Sequence, residues 1–359
     1  MRNILITGCG GAPSINFVRS LKDAKSKDIR LFGIDSNKYT IHRHECDEAF
    51  LCPDSDSNDY IPFIRHFIKN KKIQFLHTQP EKEVYLIGKN REEIRKLGCE
   101  LFFPKQETIE ILRDKYKSYL LWKEANIQVP QNFLIETEKD LKKSFEIFEN
   151  NIWIRETIGA AGKGSLKKPS YELAKAWINY RNGWGHTVAA KCLSDNTTTW
   201  QSIWKNGKLV VGQARDRLYW EMSNRVQSGV TGITGTGKIS SKENIAQLAI
   251  QCIKVIDPKP NGIFSVDFTY DVNDIPNPTE INIGKFFTTH YFITKAGLNM
   301  PEILLQLCFD EYLGDYNVIN PITEEKFWIR GMDVEPVMIS KDELEKKSQE
   351  LSHILQNIK

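Results

Sequence analysis

The stretch "GIFSVDFTYDVNDIPNPTEINIG", residues 262–284, reads as two strands joined by a turn. Val, Phe, Ile and Thr fill its two ends, and Asp, Asn and Pro crowd its middle. Asp267 is flanked by apolar residues, so its strand is partly buried, and a buried carboxylate requires a cation or hydrogen bonds. Glu280 and Asn282 stand two apart and project from one face of their strand. If the strands pair as a hairpin, Asp267, Glu280 and Asn282 converge as three oxygen ligands. Such a set suits Mg²⁺, which takes one or two carboxylates together with substrate phosphates.

Working outward, "IWIRETIGAAGKGS" (152–165) ends a strand on Arg155 and passes into a loop with Gly159, Gly162, Lys163 and Gly164. A fixed cation beside bare loop amides suits a polyphosphate. The stretch "GVTGITGTGKIS" (229–240) imitates a phosphate-binding P-loop through Gly232, Gly237 and Lys238. That motif requires a hydroxyl after the lysine and a buried strand before the loop. Here Ile239 follows, and the preceding "RDRLYWEMSNRVQS" is too polar for a strand buried on both faces. We therefore read it as something other than a nucleotide site.

The first hundred residues alternate strands, "NILIT", "RLFGID", "IQFLHT" and "CELFFP", with helices over 14–22, 59–70 and 83–97. This order predicts a parallel, Rossmann-like sheet. The turn "TGCGGAPS" (7–14) carries Pro13 where a dinucleotide fingerprint needs a glycine, which argues against an NAD site. "IHRHECDEAFLC" (41–52) offers His42, His44, Cys46 and Cys52, but their spacing fits no common zinc pattern. A helix over 106–125 follows, then a second α/β region. Ser240 and Glu243 suggest a capping box before a helix whose core face is Ile245, Leu248, Ala249, Cys252, Ile253 and Ile256. A polar helix ends the chain.

With 359 residues, several subdomains are expected. Forty-nine basic and 46 acidic residues leave a net charge of +3 without a basic stripe, which speaks against a nucleic-acid partner. No apolar run approaches the roughly 20 residues of a membrane helix. Seven cysteines and the absence of a leader pattern after Met1 favour a reducing, cytoplasmic setting.

The order of these parts resembles the ATP-grasp superfamily over about residues 1–315. It is nearest to its carbamoyl-phosphate synthetase large-subunit and carboxylate–amine ligase branch. The pieces that carry the likeness are "RDK" (113–115), "IRETIGAAGKGS", "FSVDF" and "EINIG". The resemblance implies an α/β architecture: a Rossmann-like preATP-grasp domain (1–104), an ATP-grasp N-terminal lobe (105–190), a C-terminal lobe with the metal site (191–320) and a helical extension (321–359). It also implies that Lys115, Arg155 and the loop glycines with Lys163 contact ATP phosphates, that Ala190, Lys191 and Leu193 meet adenine, and that Asp267, Glu280 and Asn282 hold Mg²⁺, as two ions, with Mn²⁺ an alternative. Arg215 would face the transferred phosphate or the acceptor carboxylate. Residues 229–240 would be a substrate-side segment, with Lys238 solvated.

The chain departs from the family pattern in three places. Thr197 stands where a glutamate usually grips the ribose, Lys191 where the hinge usually has an acid, and Gly284–Lys285 where an arginine follows "EIN". Lys285 is the candidate replacement as oxyanion donor. The expected activity is an ATP-dependent, ADP-forming ligation in which a carboxylate becomes an acyl phosphate and an amine attacks it. Phosphorylation of bicarbonate or carbamate is the first alternative, and a non-catalytic nucleotide-binding protein is the second. The partners expected are small-molecule carboxylates and amines, with a homodimer as the one assembly considered and no nucleic acid or membrane.

Overall fold

The computed structural model describes residues 1–24, 28–159, 162–331 and 338–358. The chain opens with β1 (Arg2–Thr7), α1 (Ala12–Lys22), β2 (Ile29–Asp35), β3 (Glu48–Leu51), α2 (Tyr60–Lys71), β4 (Phe75–His77), α3 (Glu81–Lys89) and α4 (Arg91–Arg95). These strands form a parallel sheet in the order β3-β2-β1-β4. Strand β3 lies inside the segment weighed above for metal binding, and its four residues are too short to show periodicity. Cys46 and Cys52 flank it as buried core residues. "CELFFP" does not become a full strand. It touches β4 through one bridge at Glu100 and then leaves towards Pro104. The helix expected over 83–97 breaks at Asn90, whose amide donates to the Leu86 carbonyl and ends the first segment.

Two linker helices follow, α5 (Gln106–Arg113) and α6 (Lys115–Glu124), in place of the single helix expected. Between them Asp114 is extended, and its carboxylate accepts from the amides of Tyr116 and Lys117. An acid in that position caps a helix start, so the "RDK" triplet sets Lys115 at the first turn of α6. The next unit holds β5 (Asn132–Ile135), α7 (Glu138–Phe148), β6 (Ile152–Glu156), β7 (Leu166–Lys167), α8 (Tyr171–Tyr180) and β8 (Thr187–Lys191). Its antiparallel sheet runs β5-β8-β6-β7, with α7 and α8 packed over its own small core.

The largest sheet is built from β9 (Thr197–Lys205), β10 (Lys208–Trp220), β11 (Thr234–Ser240), β12 (Gly262–Tyr270) and β13 (Pro276–Ile283). Between β11 and β12 runs α9 (Glu243–Ile256). After β13 come α10 (Tyr291–Lys295), α11 (Met300–Cys308), β14 (Val318–Ile319), β15 (Phe327–Ile329) and α12 (Lys341–Ile358). The order is β13-β12-β9-β10-β11-β15, with β14 beside β10. One face, with Trp200, Trp204, Phe264, Val266 and Phe268, packs on α9. The other face is apolar at one end, where Ile203, Val211 and Ile263 meet α11 and the first sheet, and polar at the other. Here "RDRLYW" continues β10, because an antiparallel strand needs only one buried face. Ser240 closes β11 instead of capping α9, which starts after Lys242 without a side-chain cap. On α9, Ala246 takes the buried place expected of Leu248. No helix among the described residues is long and apolar enough to cross a membrane.

Candidate active site

The polar end of the large sheet owes its composition to register. Glu280 pairs with Asp267, Asp267 with Thr199, and Thr199 with Arg215, so one row crosses β13, β12, β9 and β10. Residues directly opposite in antiparallel strands share a face. Two positions along, Thr269, Thr197 and Arg217 form a second row. Asp267 accepts a hydrogen bond from the Thr199 hydroxyl and another from Asn282 Nδ2 at 3.0 Å. Arg217 lies 4.0 Å from the same carboxylate, donates to Thr197 at 2.8 Å and stacks on Trp220 with 3.6 Å to the ring centroid.

The pairing of β12 with β13 shifts after Asp267, so Thr279 has no opposite number. This is a β-bulge, which redirects the bulged backbone. The freed Thr279 carbonyl accepts from Arg155 of β6 at 2.9 Å, while its hydroxyl donates to the Asp267 carbonyl. The bulge thus ties the small sheet to the large one. Lys115 completes the arrangement: its Nζ donates to the Gly159 carbonyl at 2.5 Å and lies 3.6 Å from Glu280.

These groups surround a cavity of about 530 Å³ between the two antiparallel sheets. Its walls include Lys115, Arg155, Gly159, Gly162, Lys163, the hinge from Ala190 to Leu193, Thr197, Arg217, Asp267 and Glu280. Gly162 has φ +68°, and a Cβ there would stand 2.2 Å from the Val230 carbonyl, so only glycine lets the loop meet the 229–232 segment. Loop residues 160–161 lie outside the described residues.

Charge in the cavity is unbalanced. Burial lowers the pKa of Arg155 and Arg217 and pushes Arg215 down to about 9, with the neighbouring Arg217 adding to the last effect. Burial alone would raise Glu280, but Lys115, Arg155 and Lys285 outweigh it and hold the carboxyl below its ordinary value. Burial raises Asp267 against the pull of Arg217, and the charge of Glu280 adds to the rise. Six cations on the described wall, Lys115, Arg155, Lys163, Lys167, Lys191 and Arg217, thus face four carboxylates, Glu156, Asp195, Asp267 and Glu280, a setting that favours a polyanion.

The sequence profile described as PylC-like, N-terminal domain, matches residues 4–102. No curated protein matches the chain significantly by sequence. Among solved structures, the biotin carboxylase of Campylobacter jejuni, a β-γ-ATP complex, superposes with a TM-score of 0.68 at 14% identity, covering 88% of this chain and 72% of that one. The N5-carboxyaminoimidazole synthase of Aspergillus clavatus, in complex with ADP and 5-aminoimidazole ribonucleotide, gives 0.65 at 11% identity, covering 99% of both chains. The L-amino acid ligase of Bacillus licheniformis gives 0.63 at 13%, covering 87% and 76%. The chain has the ATP-grasp fold.

Within this fold, most candidates from the sequence share the one cavity. Four do not line it. Asn282 sits on an adjoining small cavity while bonded to Asp267. Gly164 is turned onto the Glu156 carboxylate, where a Cβ would be crowded at 2.8 Å. Arg215 is 1% exposed and spans Thr199 and Thr234, with Phe287 under its guanidinium. It orients Thr199, which in turn holds Asp267. Lys285 lies 3.7 Å from Glu81 of α3. Arg217 escaped sequence reading, although its R-x-R spacing with Arg215 puts both on one strand face. The P-loop imitation is split: Gly232 lies before β11 on the cavity wall, while Gly237 and Lys238 belong to β11, where a Cβ on Gly237 would meet Arg215 Cδ at 2.8 Å and Lys238, expected to be solvated, pairs with Glu325.

Among the described residues no group of three His, Cys, Asp or Glu side chains could hold a metal ion. Asp267 and Glu280 with the Asn282 amide oxygen form a two-carboxylate set that fits Mg²⁺ only when phosphate oxygens complete the octahedron. The buried Arg155 Nε has no hydrogen-bond partner, which fits an incoming anion.

Proposed function

We propose that the chain is an ATP-dependent, ADP-forming carboxylate–amine ligase that works in the cytoplasm. Its preATP-grasp domain ends at residue 104, its two grasp lobes divide at 190 and 320, and a helical extension follows. The observation that carries this reading is the single cavity in which a bulge-anchored arginine, a helix-start lysine, a glycine loop and a two-carboxylate row face one another. Arg155, Lys115 and the loop amides would bind the phosphates, and the backbone from Ala190 to Leu193 the adenine. Asp267, Glu280 and Asn282 would hold Mg²⁺, with Mn²⁺ able to replace it. Mg²⁺–ATP would supply the phosphoryl group and screen its charge during transfer. The protein's own part is positioning and neutralisation. Lys115 exchanges the Gly159 carbonyl for phosphate oxygens, and Arg217, braced on Trp220, stays within reach of the transferred group. In chemical terms, a carboxylate oxygen bonds to phosphorus as the bond to ADP breaks. The amine nitrogen then bonds to the acyl carbon as phosphate leaves, and the amine proton passes to solvent.

The test is an ADP-release screen over amino-acid, sugar-acid and hydroxy-acid carboxylates with amine partners, with bicarbonate as a separate arm. ADP formation that requires both a carboxylate and Mg²⁺ is expected. ADP with bicarbonate alone would reassign the reaction to carbamoyl-phosphate-type chemistry. Tight nucleotide binding without ADP in any arm would leave only a nucleotide-binding protein.

A further inference from the structure

Beside the large cavity lies a second one of about 40 Å³, lined by Glu81, Leu112, Arg113, Lys115, Gly159, Glu280 and residues 281–283. At roughly 10–15 Å³ per water it has room for about three water-sized groups, the size of a carboxylate head. Lys115, Gly159 and Glu280 line both cavities, so the small one opens on the proposed phosphate-transfer end of the large one.

Its wall carries four charged residues: Glu81 at the start of α3, Arg113 at the end of α5, Lys115 at the start of α6 and Glu280 of β13. Lys285, just after β13, does not line the cavity but adjoins it through Glu81. Glu81 stands 3.8 Å from Arg113 Nε and 3.7 Å from Lys285 Nζ, too far for a hydrogen bond to either. A structural ion pair in the same chain closes fully: Arg19 reaches Glu45 at 2.6 and 2.9 Å. Arg113 stacks on Tyr85 at 4.1 Å, yet its buried Nε has no hydrogen-bond partner. Gln79, two residues before Glu81, is 5% exposed, and neither of its amide atoms is partnered.

From this we infer that Glu81, Arg113 and Lys285 form the seat for the acceptor's carboxylate head, and that the acceptor end held there is a monoanion. The inference rests on the ligase reading and adds to it the place and charge class of the acceptor. Arg113 Nε and Lys285 grip the carboxylate oxygens, since charge-assisted hydrogen bonds to a planar head are the strong ones. Glu81 lies between Arg113 and Lys285, and Lys115 and Glu280 on the same wall offset each other, so the group as a whole carries a net charge of +1. One carboxylate neutralises that remainder, whereas a dianion such as phosphate would meet Glu81 as an uncompensated like charge. Among the described residues, Glu280 is the other carboxylate on the cavity wall, and Lys115 at 3.6 Å offsets it, so Glu81 carries the discrimination against a dianion.

The experiment titrates the full chain with [¹³C]formate, [¹³C]acetate and inorganic phosphate, read by NMR, with and without a non-hydrolysable ATP analogue. Nucleotide affinity is measured in parallel by calorimetry. Arg113→Ala and Lys285→Ala are expected to lose acetate affinity by about tenfold or more, as removal of a charge-assisted hydrogen bond implies, while nucleotide affinity stays within about twofold. Arg113→Lys should retain part of the affinity, and Glu81→Gln should move preference towards phosphate. Melting curves identify any variant that misfolds; Lys285→Ala and Arg113→Lys carry the test if Arg113→Ala does. Equal acetate binding by wild type and both alanine variants overturns the seat, as does a wild-type preference for phosphate. A wild-type chain that binds nucleotide but neither small acid also overturns it and leaves the ligase reading standing. Failure to bind nucleotide removes both.

Discussion

Glu280→Gln separates the chemical from the structural role of the acidic row. In the folded chain Glu280 lies 3.6 Å from Lys115, and Lys115, Arg155 and Lys285 together hold its carboxyl below the ordinary range. Breaking a fully buried ion pair costs about 3–5 kcal/mol, and an exposed one about 0.2–1 kcal/mol. Glu280 is 33% exposed and not hydrogen-bonded at 3.6 Å, so the cost falls between, at about 1–2 kcal/mol. With roughly 2–4 °C per kcal/mol in domains of 150–250 residues, the variant's Tm should fall by about 2–8 °C without nucleotide. Simple relief of repulsion from Asp267 predicts the opposite sign, but the three cations outweigh that neighbour.

The pH dependence checks the sign. A carboxyl whose folded pKa is depressed stabilises the fold above its unfolded pKa, and that contribution is lost as pH falls through the folded value. The Tm gap between wild type and variant should therefore be widest near neutrality and close in acid, below the ordinary carboxylate range. In the same preparations, Mg²⁺-dependent ADP release should drop by two orders of magnitude or more, as for other losses of charge stabilisation in transfer (roughly 10²–10³). The assay is melting across pH, paired with ADP formation on the best substrate of the screen. Normal turnover refutes the metal role of Glu280. A Tm that rises at neutral pH refutes the electrostatic account.

Three further perturbations test other parts of the site. Lys238→Ala should leave nucleotide affinity unchanged by calorimetry, since Lys238 pairs with Glu325 on β11; a loss of about tenfold, ~1.4 kcal/mol, would make the segment a phosphate loop after all. Gly162→Ala should weaken ATP binding and raise the KM for ATP, because the added carbon would sit 2.2 Å from the Val230 carbonyl; an unchanged KM rules out that contact as a constraint on the loop. Asp267 has a raised folded pKa, so its ionisation destabilises the fold as pH rises through the ordinary carboxylate range to the folded value. Asp267→Asn should thus raise the apo Tm near neutrality and not in acid, measured by melting across pH. A variant Tm equal to or below that of the wild type near neutrality would refute the raised pKa.

The architecture was legible because its strongest local patterns are also its longest. The alternation of apolar strands and helices in the first hundred residues reports the parallel sheet, and the two acidic strands report their own hairpin. Breaks inside helices were illegible for a local reason: Asn90 and Asp114 are tolerated in helical patterns and act here through side-chain hydrogen bonds that no periodicity reveals. The polar half of β10 was misread because a strand with one wet face carries charge on that face. For the site, Asp267 and Glu280 could be seen from spacing, while Arg217 and Thr199 could not, since their partnership depends on which strands lie side by side. The seat around Arg113 is less legible still: its three charged residues come from positions 81, 113 and 285, and only the packing of three elements unites them.

The register of the large sheet also bears on how the chain can change over generations. Because the acid, hydroxyl and arginine row is a line of opposite residues across four strands, inserting or deleting one residue within β9, β10, β12 or β13 would turn half of that strand's side chains to the wrong face. Point substitutions in the row alter one contact, but a change of length breaks the alignment of all four. Insertions should therefore be tolerated only where strands turn back, at residues 206–207, at 271–275, and in the 221–233 segment that borders the cavity mouth. Of these, only the third adjoins the cavity. Variation in its length would alter access to the site without disturbing the charged row, which makes it the natural place for new acceptor preferences to arise on an otherwise fixed frame.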